Sequence, residues 1–150
     1  MIFVTVGTTL VFDDLVEAID HLVGSGVIED EVICQIGNGE YNPAHCESFR
    51  FKPSVDDLIE RASLVICHGG TGSTLGVLAK GKRFIAVANP KGVDNHQAQF
   101  LERLSHIVPI LWTHDLNEMP NLLNEVNDFN YENMNIPCLV NDLNSYLRGI

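Results

Sequence analysis

The chain has few basic residues. Nine Lys and Arg stand against 20 Asp and Glu, for a net charge of -11. That balance makes the chain a poor candidate for a nucleic-acid partner, because such binding rests on cations placed against phosphates. It also opposes adsorption to an anionic membrane surface. No apolar run approaches the ~20 residues that span a bilayer. The amino terminus has no basic leader or cleavage site, so residues 2–6 read as a strand and not as a signal peptide. The four cysteines, Cys34, Cys46, Cys67 and Cys138, include no C-x-x-C pair, and two lie inside apolar runs. They read as core thiols of a reducing compartment, not as a metal or disulfide framework. No internal repeat, low-complexity tract or linker interrupts the chain.

Several nucleotide and catalytic motifs are missing as well. There is no G-x-x-x-x-G-K-[ST], which argues against a P-loop hydrolase. The first turn reads Gly7-Thr8-Thr9-Leu10-Val11-Phe12 rather than G-x-G-x-x-G, which argues against an ordinary dinucleotide dehydrogenase. No G-x-S-x-G elbow, H-E-x-x-H pair or D-x-D pair occurs.

What is present is an alternation of β-branched runs and helical stripes. Strands are expected at 2–6, 31–36, 48–51, 64–67, 83–88 and 108–111. Helices are expected from Phe12 to Val23, from Ser54 (in an S-x-x-D capping box) to Ala62, at 73–80 and at 96–104. Two closing helices carry the stripes Leu116, Met119, Leu122, Val126 and Ile136, Leu139, Val140, Leu143, Leu147. This pattern predicts α/β architecture: a single Rossmann-like domain over residues 1–150. Its doubly wound parallel sheet of about six strands would have helices on both faces. Ligands of such sheets bind beyond the carboxyl ends of the strands. Residues 7–9, 51–53, 68–72 and 89–97 all fall on that edge.

The segment from Leu64 to Thr74 carries the most chemistry. An apolar run stops at His68-Gly69-Gly70-Thr71-Gly72-Ser73, and a helix starts directly after it. Glycines let backbone amides approach a ligand, and a helix start adds unpaired N–H groups and a positive dipole end. The combination suits a phosphate or diphosphate, although a tight turn that only packs a helix on the sheet has the same sequence. His68 is a candidate proton donor, but more often a histidine here positions the loop by hydrogen bonding. Asp13-Asp14 and Asp56-Asp57 suit helix starts and read as caps. Lys80, Lys82 and Arg83 fall at a helix end on the edge away from the ligand, whereas Lys91 is on the ligand edge. In Asn95-His96-Gln97 the amides suit sugar hydroxyls, or Asn95 caps the helix.

These motifs carry a family resemblance. With Phe3-Val4-Thr5-Val6-Gly7-Thr8-Thr9, the His68–Ser73 loop and Asp94-Asn95-His96-Gln97, the sequence resembles the carboxyl-terminal, donor-binding half of GT-B glycosyltransferases that use UDP-sugars (the glycosyltransferase family 28 C-terminal domain). It is closer still to small stand-alone subunits, such as the catalytic subunit for dolichol-linked N-acetylglucosamine and bacterial exopolysaccharide glycosyltransferase subunits. The resemblance implies a diphosphate site at Gly69, Gly70, Thr71, Gly72 and Ser73. It implies a uracil pocket at Phe51 and Lys52, and sugar contacts from Asn95, His96 and Gln97. Gly7, Thr8 and Thr9 would face the cleft and the acceptor half. Gly76 stands where many relatives carry a carboxylate that binds ribose hydroxyls, so ribose recognition lacks that residue or shifts to another.

The implied reaction is metal-independent transfer from a UDP-sugar to a lipid-linked acceptor, with no cofactor. The general base would lie in a membrane-anchored amino-terminal-half partner that recruits this cytoplasmic subunit to the membrane face. The alternative is a non-catalytic accessory subunit that binds and stimulates a partner glycosyltransferase.

Overall fold

The computed structural model describes residues 1–7, 10–91 and 95–128. Its strands are β1 (Ile2–Thr5), β2 (Val32–Gln35), β3 (Glu47–Phe49), β4 (Leu64–His68), β5 (Phe84–Val87) and β6 (Leu111–Thr113). They form one six-stranded sheet in the order β3-β2-β1-β4-β5-β6, with every pairing parallel. The helices are α1 (Asp13–Gly24), α2 (Asp56–Arg61), α3 (Thr71–Ala79), α4 (His96–Ser105) and α5 (Met119–Asp128).

Parallel neighbours need crossovers, and crossovers are right-handed. The α1 crossover steps from β1 to β2, while α2, α3 and α4 step the opposite way along the sheet. The two directions put α1 on one face and α2–α4 on the other. Burial agrees: β1, β2 and β5 are buried at every residue, as strands covered on both faces must be. Phe3, Val65, Ile66, Phe84 and Ile85 form the centre of this core, with Leu15 and Ile19 of α1 on one side and Leu78 and Leu101 on the other. Because the chain leaves β1 in one direction and β4 in the other, their carboxyl ends diverge and open a crevice.

Most element boundaries differ from the sequence reading by a residue or two, and the larger shifts fall on β3, β6, α2 and α3. The sixth strand is Leu111–Thr113 and not 108–111. Val108 is still tied to the end of α4, its N–H donating to the Leu104 carbonyl at 2.9 Å. Pro109 has no N–H for a ladder, so pairing waits until Leu111 meets Ile85. The third strand ends at Phe49, and beyond it the Arg50 guanidinium donates to the carbonyls of Gly37 and Gly39 at 3.0 and 2.9 Å. Helix α3 starts at Thr71, two residues early, with Gly70 extended before it. The S-x-x-D box does not form: the Ser54 hydroxyl accepts from the N–H of Asp56, not Asp57. Leu116 lies in a 3-10 turn ahead of α5, while Met119, Leu122 and Val126 are buried as the stripe predicts. The second closing stripe, Ile136 to Leu147, and Cys138 lie outside the described residues, as do Thr8, Thr9 and Asp94.

The long loop between β2 and β3 is tied to α1 by two carboxylates. Asp13 accepts from the N–H groups of Glu40 and Tyr41. The buried Asp20 accepts from the Tyr41 hydroxyl and the N–H groups of Ala44 and His45. Burial alone would raise the Asp20 pKa, but these donors favour the carboxylate and hold it below the ordinary value. Cys34, Cys46 and Cys67 are free thiols, and burial pushes Cys67 up to about 12.

Candidate functional site

The crevice between β1 and β4 holds a cavity of about 660 Å³. Gly7 borders it after β1, Lys52 to Asp56 on the approach to α2, and Gly70 to Lys80 along α3. Its floor includes Thr5 and Gln35, whose side chains bond to each other at 2.8 Å.

His68 organises the mouth. It is the last residue of β4, and its imidazole lies between two glycines. A Cβ on Gly7 would lie 2.5 Å from its Nε2, and one on Gly70 would lie 2.3 Å from its Cε1. Gly7 also has φ +79°, a left-handed conformation that L side chains rarely adopt. Both loops therefore need glycine in order to close on the ring. The N–H of Gly70 donates to His68 Nδ1 at 3.2 Å, so Nδ1 carries no proton. The proton sits on Nε2, which donates to Ser73 Oγ at 3.0 Å. Burial lowers the His68 pKa below 6.5, keeping the ring neutral.

With its lone pair engaged by His68, the Ser73 hydroxyl has its own proton free for a ligand oxygen. Next to it, the N–H groups of Thr71, Gly72 and Ser73 open the first turn of α3. No side chain caps that end, so donors and dipole converge on one point in the cleft. This geometry makes His68 a positioning residue for the loop.

Behind the loop, Gln97 at the start of α4 accepts from the N–H of Asn89 at 2.8 Å and turns its amide nitrogen toward His68 Nδ1 at 3.4 Å. Asn89 is buried, and its own amide donates to the Val11 carbonyl at 3.1 Å. At the other rim the Lys52 ammonium lies 4.6 Å from the centre of the Phe49 ring, itself stacked on Phe3.

Of the residues singled out in the sequence, Gly7, Lys52, His68, Gly70, Gly72, Ser73 and Gln97 line this cleft. Gly69 packs behind the loop, where a Cβ would meet Leu101 at 2.7 Å. Thr71 and His96 are exposed, and Phe51 is a half-exposed side chain outside the cleft lining. Asn95 borders a separate cavity with Pro90 and His114. Asn95 does precede α4, but with φ 57° and without a side-chain cap bond. Lys80 is a correction: it borders the cleft, and its ammonium lies 3.5 Å from Asp56. Thr5, Gln35, Ser54 and Asp56 were not anticipated as lining. For Thr5 and Gln35 the available signal was a polar residue near the carboxyl end of an apolar strand.

A neutral His68 makes a prediction about pH. Its folded pKa lies below the unfolded 6.5, so the stability it contributes is present above 6.5 and is lost as pH falls from there. His68→Asn keeps an acceptor for the Gly70 N–H but cannot titrate. The melting temperature of the parent should therefore fall faster than that of His68→Asn as pH drops below 6.5. Parallel pH profiles of the two proteins would remove His68 as the neutral organiser of the loop.

Fold and site together define a Rossmann-type α/β domain with a cleft at its topological switch point, bordered by the uncapped start of α3. The chain belongs to the glycosyltransferase family 28 C-terminal domain family, whose model matches residues 1–133. It is 40% identical over 114 residues to the UDP-N-acetylglucosamine transferase subunit ALG13 of Homo sapiens, a match covering 69% of this chain and 10% of that protein. The subunit of the same name from Yarrowia lipolytica is 34% identical over 119 residues, with 69% of this chain and 60% of that protein covered. The chain thus spans a tenth of the human relative and three fifths of the yeast one. Among solved structures, Acinetobacter baumannii MurG superposes with a TM-score of 0.63 at 18% identity, over 92% of this chain and 43% of that one. The NMR structure of ALG13 superposes with a TM-score of 0.54 at 20% identity, covering 91% and 88%. Both share the fold. Among the described residues, no helix is long and apolar enough to cross a membrane.

Proposed function

We propose that this chain is the donor-binding, catalytic subunit of a two-component glycosyltransferase. It would move a sugar from a UDP-sugar to a lipid-linked acceptor on the cytoplasmic face of a membrane, where a membrane-anchored partner recruits it. The observation that carries this reading is the uncapped start of α3, with the Ser73 hydroxyl oriented by a neutral His68, inside a cleft of nucleotide size. Donors fixed before the reaction stabilise the charge that develops on a departing diphosphate. They supply at that point what a divalent cation would otherwise supply, so UDP should bind equally well with and without a chelator. The names of the relatives make UDP-N-acetylglucosamine the first donor to test.

The diphosphate lies on the N–H groups of Thr71 to Ser73. Backbone at Lys52 takes the base, and Gln97 faces the transferred sugar. Calorimetry with UDP and UDP-N-acetylglucosamine tests the reading, and absence of binding by either would end it. Gln97→Ala separates two roles for that residue. Loss of a sugar contact should weaken UDP-N-acetylglucosamine by about tenfold and UDP by less. Equal weakening of both ligands would assign Gln97 to loop support alone.

A further inference from the structure

Helix α3 presents a stripe of small side chains to the cleft, and the carboxylate nearest that stripe comes from α2. Gly72, Gly76 and Lys80 all border the cavity at i, i+4 spacing. From the start of α3, each step of four residues runs about 6 Å down the helix. A Cβ on Gly76 would meet no atom within 4 Å, so the wall there is bare backbone facing open space. Across the cleft, Lys52, Ser54 and Asp56 form the opposite wall. Among the described residues Asp56 contributes the cavity's one carboxylate lining group. Lys80 lies 3.5 Å from its Oδ1, which leaves Oδ2 free for other donors. The pair spans the cleft one turn beyond Gly76.

We infer that Asp56, oriented by Lys80, reads the vicinal diol of the nucleotide's ribose. The inference rests on the donor-binding reading above. With the diphosphate at the start of α3, the attached ribose falls about one helical turn along, over Gly76. There α3 offers no side chain to its hydroxyls. An ionised carboxylate only accepts hydrogen bonds, and its two oxygens match two adjacent hydroxyl donors. Lys80 donates only, so its contribution is to aim Asp56 and to offset its charge beside an anionic ligand. Placing the acid on α2 leaves the bare surface of α3 as the seat for the sugar ring.

The test is a pair of titrations with UDP and 2′,3′-dideoxy-UDP, which differ only in the diol. The parent protein should prefer UDP by at least about tenfold, as expected for hydrogen bonds to a charged acceptor. Asp56→Ala should bind the two ligands equally, at the parent's affinity for the dideoxy compound. The Asp56 side chain is 69% exposed, so this change leaves the fold intact. Lys80→Met should reduce the preference without abolishing it. Gly76→Asp added to Asp56→Ala should bring the preference back, because the open space at Gly76 admits a carboxylate facing the same ligand. If Asp56→Ala keeps the parent's preference, or weakens both ligands equally, Asp56 does not read the diol. A parent protein that binds UDP without preferring it overturns this inference and leaves donor binding standing. One that binds no UDP overturns both.

Discussion

Gly72→Val should abolish UDP binding and leave the melting temperature nearly unchanged. Gly70→Val should abolish binding and lower the melting temperature as well. The two residues flank the start of α3, Gly70 before it and Gly72 in its first turn, yet the two valines act on different partners. A Cβ on Gly72 meets no atom within 4 Å. Its side chain would project into the empty cleft over the amides of the first helical turn, so it would exclude a phosphate sterically without disturbing the protein. A Cβ on Gly70 would lie 2.3 Å from Cε1 and 2.9 Å from Nδ1 of His68. The imidazole would have to leave, giving up its bonds to the Gly70 N–H and to Ser73 Oγ. That leaves a partly buried ring unsatisfied at a cost of about 1–3 kcal/mol. Calorimetry with UDP and thermal unfolding of the two variants separate these effects. Parent-like binding by Gly72→Val would place the phosphate elsewhere.

The difference between those two glycines shows where sequence reading reaches its limit. Three glycines in the stretch from Gly69 to Gly72 were legible as a loop where backbone approaches a ligand. Only coordinates show that Gly70 exists for His68, Gly69 for Leu101, and that Gly72 alone faces open space. The alternation of strands and helices was legible because a strand buried on both faces is a continuous apolar run. All six strands were found, and the largest strand errors fell on the short edge strands. In β3 and β6 fewer residues pair, and before β6 the missing N–H of Pro109 delays the ladder. Lys80 was read by its place at a helix end. Its long side chain reaches Asp56 in the first turn of α2, a contact that no local pattern reports. Asp56 was read as a helix-start acid, and the structure leaves it in the first turn of α2 while also facing the cleft. One residue satisfies two constraints, and sequence displays only the nearer one.

The isolated chain should transfer sugar to a lipid-linked acceptor at a negligible rate, and adding a membrane-anchored amino-terminal partner should bring the activity up by several orders of magnitude. The described residues build one wall of a cleft. On the proposed reading that wall holds the donor through the α3 amides, and the acceptor takes its position over the sugar from the second wall. Orientation of two reactants accounts for ~7–11 kcal/mol of a barrier, so a donor held without its acceptor leaves most of the acceleration unrealised. The partner's docking surface should include the ligand edge beside Gly7 and Lys91, because a second wall must face the first across the bound nucleotide. Lys91 is exposed there. In a chain of charge -11 a cation beside the cleft also favours an acidic patch on the partner. Lys91→Glu should therefore weaken assembly, measured by co-purification and by the partner concentration needed for half-maximal transfer. Arg61→Glu, exposed at the end of α2 on the opposite edge of the sheet, should not. Lys80 is unsuitable as the control because it borders the cleft itself. Robust transfer by the chain alone would mean that acceptor positioning resides in this polypeptide, and the two-component reading would fall.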